Sequence, residues 1–120
     1  MKQGTRACMA YIAGCLISGS TSSSIYDYKQ SRHISISGNV SSGQVNIYDY
    51  SRSCHVSGSG NNSSYNLYDY GNSKHVNLSI KGNNFDGYDY DTSKHFSGSV
   101  NGNSISLYDY EDSSWCSYSL

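Results

Sequence analysis

Asp, Ser and His recur together at fixed spacing, as Asp27, Ser31 and His33, then Asp49, Ser53 and His55, Asp69, Ser73 and His75, and Asp89, Ser93 and His95. These types build a nucleophilic relay when one serine meets one base beside an oxyanion site. A motif copied along the chain has no single positioned nucleophile, so no enzyme and no catalytic residue is expected. His33, His55, His75 and His95, in phase, would also suit a transition-metal ladder. No compact mixture of His, Cys and carboxylate at zinc-site spacing accompanies them, and a His ladder on a strand face is the better reading. No metal or cofactor is expected.

Each Asp is the centre of a Tyr-Asp-Tyr tripeptide: Tyr26-Asp27-Tyr28, Tyr48-Asp49-Tyr50, Tyr68-Asp69-Tyr70, Tyr88-Asp89-Tyr90 and Tyr108-Asp109-Tyr110, in steps of 22, 20, 20 and 20 residues. A unit of this size has no core of its own, so copies must stack on one another. Two residues before the Asp stands Ile25, Ile47, Leu67, Gly87 or Leu107, and seven after it Ile34, Val56, Val76, Phe96 or Cys116. Spacings of two mark strands, with one apolar face and an opposite face carrying the tyrosines, the four histidines and Trp115. A serine follows every tripeptide at one place and favours a turn. A second break carries Gly38-Asn39, Gly60-Asn61, Gly82-Asn83 and Gly102-Asn103, types that tolerate positive φ. Each repeat therefore reads strand, turn, strand, turn.

With 36 % hydrophobic and 14 % charged residues, no proline and 12 glycines, a large conventional core is not expected in 120 residues. Ten of the 13 tyrosines lie in the tripeptides, a periodicity foreign to a disordered linker. The first 20 residues read as a secretion signal: Lys2 and Arg6 supply the positive region, Ala7 to Ile17 the apolar stretch and Ser18-Gly19-Ser20 the cleavage site. An alternative takes Ile12-Ala13-Gly14-Cys15 as a lipoprotein box acylated on Cys15. Residues 21–120 form the repeat domain, with six basic and nine acidic side chains, which is no nucleic-acid footprint. No other segment is long and apolar enough to span a bilayer as a helix. Cys54 and Cys116 stand in different phases, and one possible bridge is not a disulfide scaffold.

Two all-β architectures satisfy the pattern. A β-solenoid of five strand-turn-strand arches closes each apolar stripe on itself and stacks like residues in register. An antiparallel β-meander pairs consecutive strands side by side, setting Gly58 against Leu67, Leu78 against Gly87 and Gly98 against Leu107. A flat meander leaves its apolar face half wet, so the solenoid is the expectation.

Val45-Asn46-Ile47-Tyr48-Asp49-Tyr50 and Tyr65-Asn66-Leu67-Tyr68-Asp69-Tyr70 resemble the first strand of the curlin repeat, the unit of the curli major fibre subunit. Asp stands where that family has an inward Gln, and Arg32, Cys54, Lys74, Lys94 and Ser114 where it has an inward Asn. The resemblance implies a secreted, amyloid-like subunit that polymerises with its own copies through open strand edges into a biofilm or surface matrix, with a secretion or nucleation partner. A column of Asp27, Asp49, Asp69, Asp89 and Asp109 would repel itself. Arg32, Lys74 and Lys94 are expected to relieve it as a paired basic column, while Tyr26, Tyr28, Tyr48, Tyr50, Tyr68, Tyr70, Tyr88, Tyr90, Tyr108 and Tyr110 stack outside for assembly. The alternative function is a monomeric secreted module that binds glycan or another surface through its Tyr and His face.

Overall fold

A computed structural model describes residues 1–61 and 63–120. One helix, α1 (Gln3–Ser18), precedes ten strands: β1 (Ser24–Asp27), β2 (Arg32–Ser41), β3 (Gln44–Asp49), β4 (Cys54–Gly60), β5 (Ser64–Asp69), β6 (Lys74–Lys81), β7 (Asn84–Asp89), β8 (Lys94–Asn101), β9 (Ser104–Asp109) and β10 (Ser114–Ser119). Each strand pairs antiparallel with its chain neighbours, and β1 pairs with β10, giving a closed barrel. The all-β class holds, but the expected solenoid does not form.

The pairings are those of the meander. Gly58 faces Leu67, Leu78 faces Gly87 and Gly98 faces Leu107. Closure removes the objection to a flat sheet, because the apolar face curls inward and stops being wet. Glycine opposite a large residue is a packing requirement here: a Cβ on Gly98 would lie 2.1 Å from the Ser106 carbonyl oxygen and 2.5 Å from the Phe85 ring. The longer first step is explained by β2, whose pairing with β3 reaches Ser41↔Gln44, so that hairpin turns at Ser42-Gly43 instead of Gly38-Asn39. In the third and fourth breaks the turns are Gly82-Asn83 and Gly102-Asn103, with both glycines at φ 62°.

An eight-stranded barrel is filled by its own side chains, and ten strands leave a wider lumen. Here α1 occupies it. Ala7, Cys8, Met9, Ala10, Ile12 and Ala13 are wholly buried, which covers every side of the helix, and a helix that is apolar all round is a buried one. It packs on β1, β2, β6, β8 and β9, and Gly14 lies against Ile105 and Leu120. The chain leaves the helix through Gly19 at φ 71°, whose N–H donates to the Cys15 carbonyl. The core is thus larger than composition suggests, because the segment that reads as a leader supplies its centre.

Removing residues 1–20 is expected to abolish the cooperative thermal transition of the barrel, since Ile25, Ile36, Ile47, Leu67, Leu78 and Leu107 would face an empty lumen. Circular dichroism melts of the full and shortened chains test this. A shortened chain with an unchanged, sharp transition would show that the strands need no plug.

Candidate functional site

The tripeptides end the strands at one rim of the barrel and put different chemistry on the two sides of the wall. All five Asp side chains point inward and are 0–1 % exposed. Each carboxylate first closes its own turn: Oδ1 accepts the N–H two residues on, from Lys29, Ser51, Gly71, Asp91 and Glu111, at 2.8–3.0 Å. This is the Asx turn. Four residues after each Asp, Ser31, Ser53, Ser73, Ser93 and Ser113 sit at φ 51–58°. The recurrent serine therefore marks the left-handed corner of the turn, while the aspartate makes the side-chain bond expected of the serine.

The second oxygen of each carboxylate is matched individually. Gln30 Nε2 donates to Asp27 at 2.6 Å, and Thr92 Oγ1 to Asp89 at 3.3 Å. Arg52 bridges Asp49 at 2.7 Å and Asp69 at 3.0 Å, and Asp69 also accepts from Thr5 Oγ1 at 2.7 Å. Arg6, buried on α1, reaches Asp109 at 3.1 Å, Asp112 at 3.2 Å and the Tyr118 hydroxyl at 3.0 Å. The Met1 amino group contacts Asp109 at 3.1 Å and also Glu111. Asp109, Glu111 and Asp112 thus converge on cations that the chain itself provides.

Arg32, Lys74 and Lys94 lie across the strands from Asp27, Asp69 and Asp89 in register. None forms an ion pair with them among the described residues. All three are exposed at the mouth. In the first, second and fourth copies the position three residues after the Asp, Gln30, Arg52 and Thr92, does the work instead, because the Asx turn folds that side chain back over the carboxylate. This spacing was legible; the contribution of Thr5 and Arg6 was not, since they belong to the segment read as a leader.

Burial opposes ionisation at Asp89 and Asp109. At Asp89 it prevails over the bonds from Asp91 and Thr92, and the pKa is raised. At Asp109 burial is outweighed by the Met1 amino group, the Glu111 N–H and Arg6, and the pKa is lowered. Burial also raises Cys8, whose thiol donates to Asp49 at 3.5 Å and accepts from Arg52 at 3.3 Å. It is held as an unreactive thiol. All four cysteines, Cys54 and Cys116 included, are free.

Outside the wall, the same tripeptides carry an aromatic crown. Tyr26, Tyr48, Tyr68 and Tyr88 each stand edge-on to a second tyrosine (Tyr28, Tyr50, Tyr70, Tyr90) and to a histidine (His33, His55, His75, His95), with ring centres 4.7–4.9 Å apart. Tyr108 holds Tyr110 and Trp115 in the fifth cluster. Successive histidines are two strands apart, roughly 9–10 Å at ordinary strand spacing, too far to share an ion. Asp and His of one copy lie on opposite sides of the wall, so no relay joins them.

No protein-family profile, no curated protein and no solved structure matches this chain. The crown and the buried ring therefore speak through their own chemistry.

Two outcomes follow for the ring. Arg52→Gln leaves buried Asp49 and Asp69 without their cation and is expected to cost about 3–5 kcal/mol, whereas Lys74→Gln and Lys94→Gln should fall within about 0.5 kcal/mol of the parent; urea unfolding at pH 7 measures both. The two shifted aspartates have opposite pH signatures. Asp109 contributes stability that is complete above the ordinary carboxylate value of 3.8 and is lost as pH falls through its lowered native value. Asp89 costs stability at neutral pH, a cost relieved as pH falls through its raised value. Asp109→Asn should then destabilise strongly at pH 7 and progressively less below pH 4, while Asp89→Asn is neutral or stabilising at pH 7. Equal effects of the two at pH 7 would contradict this assignment.

Proposed function

We propose that the protein is a non-catalytic binding module whose aromatic crown attaches it to a glycan-bearing surface. One observation carries this reading: Tyr28, Tyr50, Tyr70, Tyr90 and Tyr110 are 50–58 % exposed, far more than buried packing needs, yet each is held edge-on by its neighbour. A tyrosine fixed with one face free offers an apolar platform beside a polar edge, which suits a sugar ring. Five copies on one rim add avidity where the target repeats as they do. Asn77 donates to the Tyr90 hydroxyl and Ser37 to that of Tyr50, both at 3.2 Å, so the platforms are oriented as well as exposed.

The polymerising reading depends on open strand edges. In the closed barrel those of β1 and β10 are paired at Tyr26↔Ser119 and Asp27↔Tyr118, so fibre growth would first require that seam to part. An extracellular target accords with glycan binding, with α1 travelling as part of the folded domain.

Retention on immobilised insoluble polysaccharides is the test. Tyr50→Ala combined with Tyr70→Ala should lower retention at least tenfold and leave the melting temperature nearly unchanged, because both rings are exposed. Retention by neither parent nor variant, with thioflavin-positive fibres from the parent, would favour the polymer instead.

A further inference from the structure

A chain built from copies declares its special positions where a copy departs from the others. On the outward face, the residue three before the Asp is Ser24, Asn46, Asn66 and Ser106 in four copies, but Asp86 in the fourth repeat. Twelve after the Asp, Asn61 and Asn101 stand in the second and fourth repeats, and Lys81 in the third. The crown histidine is replaced once, by Trp115, which is 63 % exposed and the single tryptophan of the chain. These departures come from different repeats and are far apart in sequence. All three line one cleft.

That cleft, about 780 Å³, runs along the outer wall of β5 to β8 and is flanked by Trp115, with Ser64, Ser79, Ser97, Asp86 and Lys81 among its walls. Its geometry follows from the register. Ser79 pairs with Asp86, Asp86 with Ser97, Ser97 with Tyr108 and Tyr108 with Trp115, so a carboxylate at one end and an indole at the other lie in one row across the strands. Three strand spacings separate them, roughly 14 Å. Among the described residues neither Lys81 nor Asp86 forms an ion pair.

We infer that this cleft is a subsite for a neutral oligosaccharide of more than one ring. The inference rests on the glycan reading and names where a soluble chain end is held. One sugar stacks on the Trp115 indole, whose large flat face exceeds that of the histidine it replaces. Vicinal hydroxyls of a ring further along the chain donate to the Asp86 carboxylate, charge-assisted bonds of the stronger kind. The Ser97 and Ser79 hydroxyls bond the same ring, and Lys81 donates to a ring or hydroxyl oxygen. A multiply charged ligand is disfavoured because the cleft offers one charge of each sign.

The test uses the full chain and four trisaccharides, cellotriose, chitotriose, maltotriose and mannotriose, followed by calorimetry and by the fluorescence of the lone tryptophan. At least one is expected to bind with a blue shift of Trp115 emission. The triple variant Lys81→Asn, Asp86→Asn, Trp115→His returns each position to what other copies already carry, so folding is safeguarded; it should lose at least tenfold in affinity by calorimetry. Tyr50→Ala, in the turn after β3 and outside the cleft lining, should bind the trisaccharide as the parent does while losing retention on the insoluble polysaccharide. Trisaccharide binding with no change in emission and an undiminished triple variant overturns the cleft and leaves the crown reading standing. Failure of the parent to bind either a trisaccharide or a polysaccharide overturns both.

Discussion

Five carboxylates buried at one mouth of a barrel are the constraint that the rest of the molecule answers. Each is needed where it is, because its Oδ1 shapes a turn, and each would be repelled by the others if left alone. Asp27 and Asp89 are answered from their own turns by Gln30 and Thr92, and the others by the amino end of α1 together with Arg52. The helix's unpaired N–H groups carry a partial positive charge, its first turns bring Thr5 and Arg6 among the carboxylates, and Gly4 leaves room for the Arg52 side chain. Helix and turn charges are thus mutually required: the ring attracts that end of the helix, and the helix permits the ring.

The wall separates two uses of one tripeptide. Because side chains alternate along a strand, the middle residue of Tyr-Asp-Tyr is delivered to the interior and its neighbours to solvent. The interior side needs partners tailored to each copy, and Gln30, Arg52 and Thr92 accordingly differ. The exterior side needs sameness, and the Tyr-Tyr-His geometry hardly varies from copy to copy. Between the crown and the far rim the outward residues are mostly Ser and Asn, a polar surface unlike the apolar band of a lipid-facing barrel.

Much of this was legible beforehand. Strand positions, the inward Asp, the outward Tyr and the cross-strand matches Gly58–Leu67 and Gly98–Leu107 all follow from a period of two and the turn residues. Closure was not legible, because nothing in Ile25 or Leu67 says whether its apolar face meets a second strand of the same repeat or a foreign element. The missing element was in view as Ala7 to Ile17, but a short apolar stretch behind Lys2 and Arg6 has the composition of a leader and of a core helix alike. In the barrel Arg6 is a buried partner of Asp109 and Tyr118, a role that its place behind Lys2 in the sequence does not announce.

The fit of one helix inside ten strands also bears on how such a chain grows. Duplication of a 20-residue unit is easy for a gene and adds two strands each time, yet barrel diameter rises with strand number while a helix keeps its diameter of about 10 Å. A fourfold array would grip the helix too tightly, and a sixfold array would rattle around it. The plug is therefore a caliper: its diameter matches the circumference of a fivefold array.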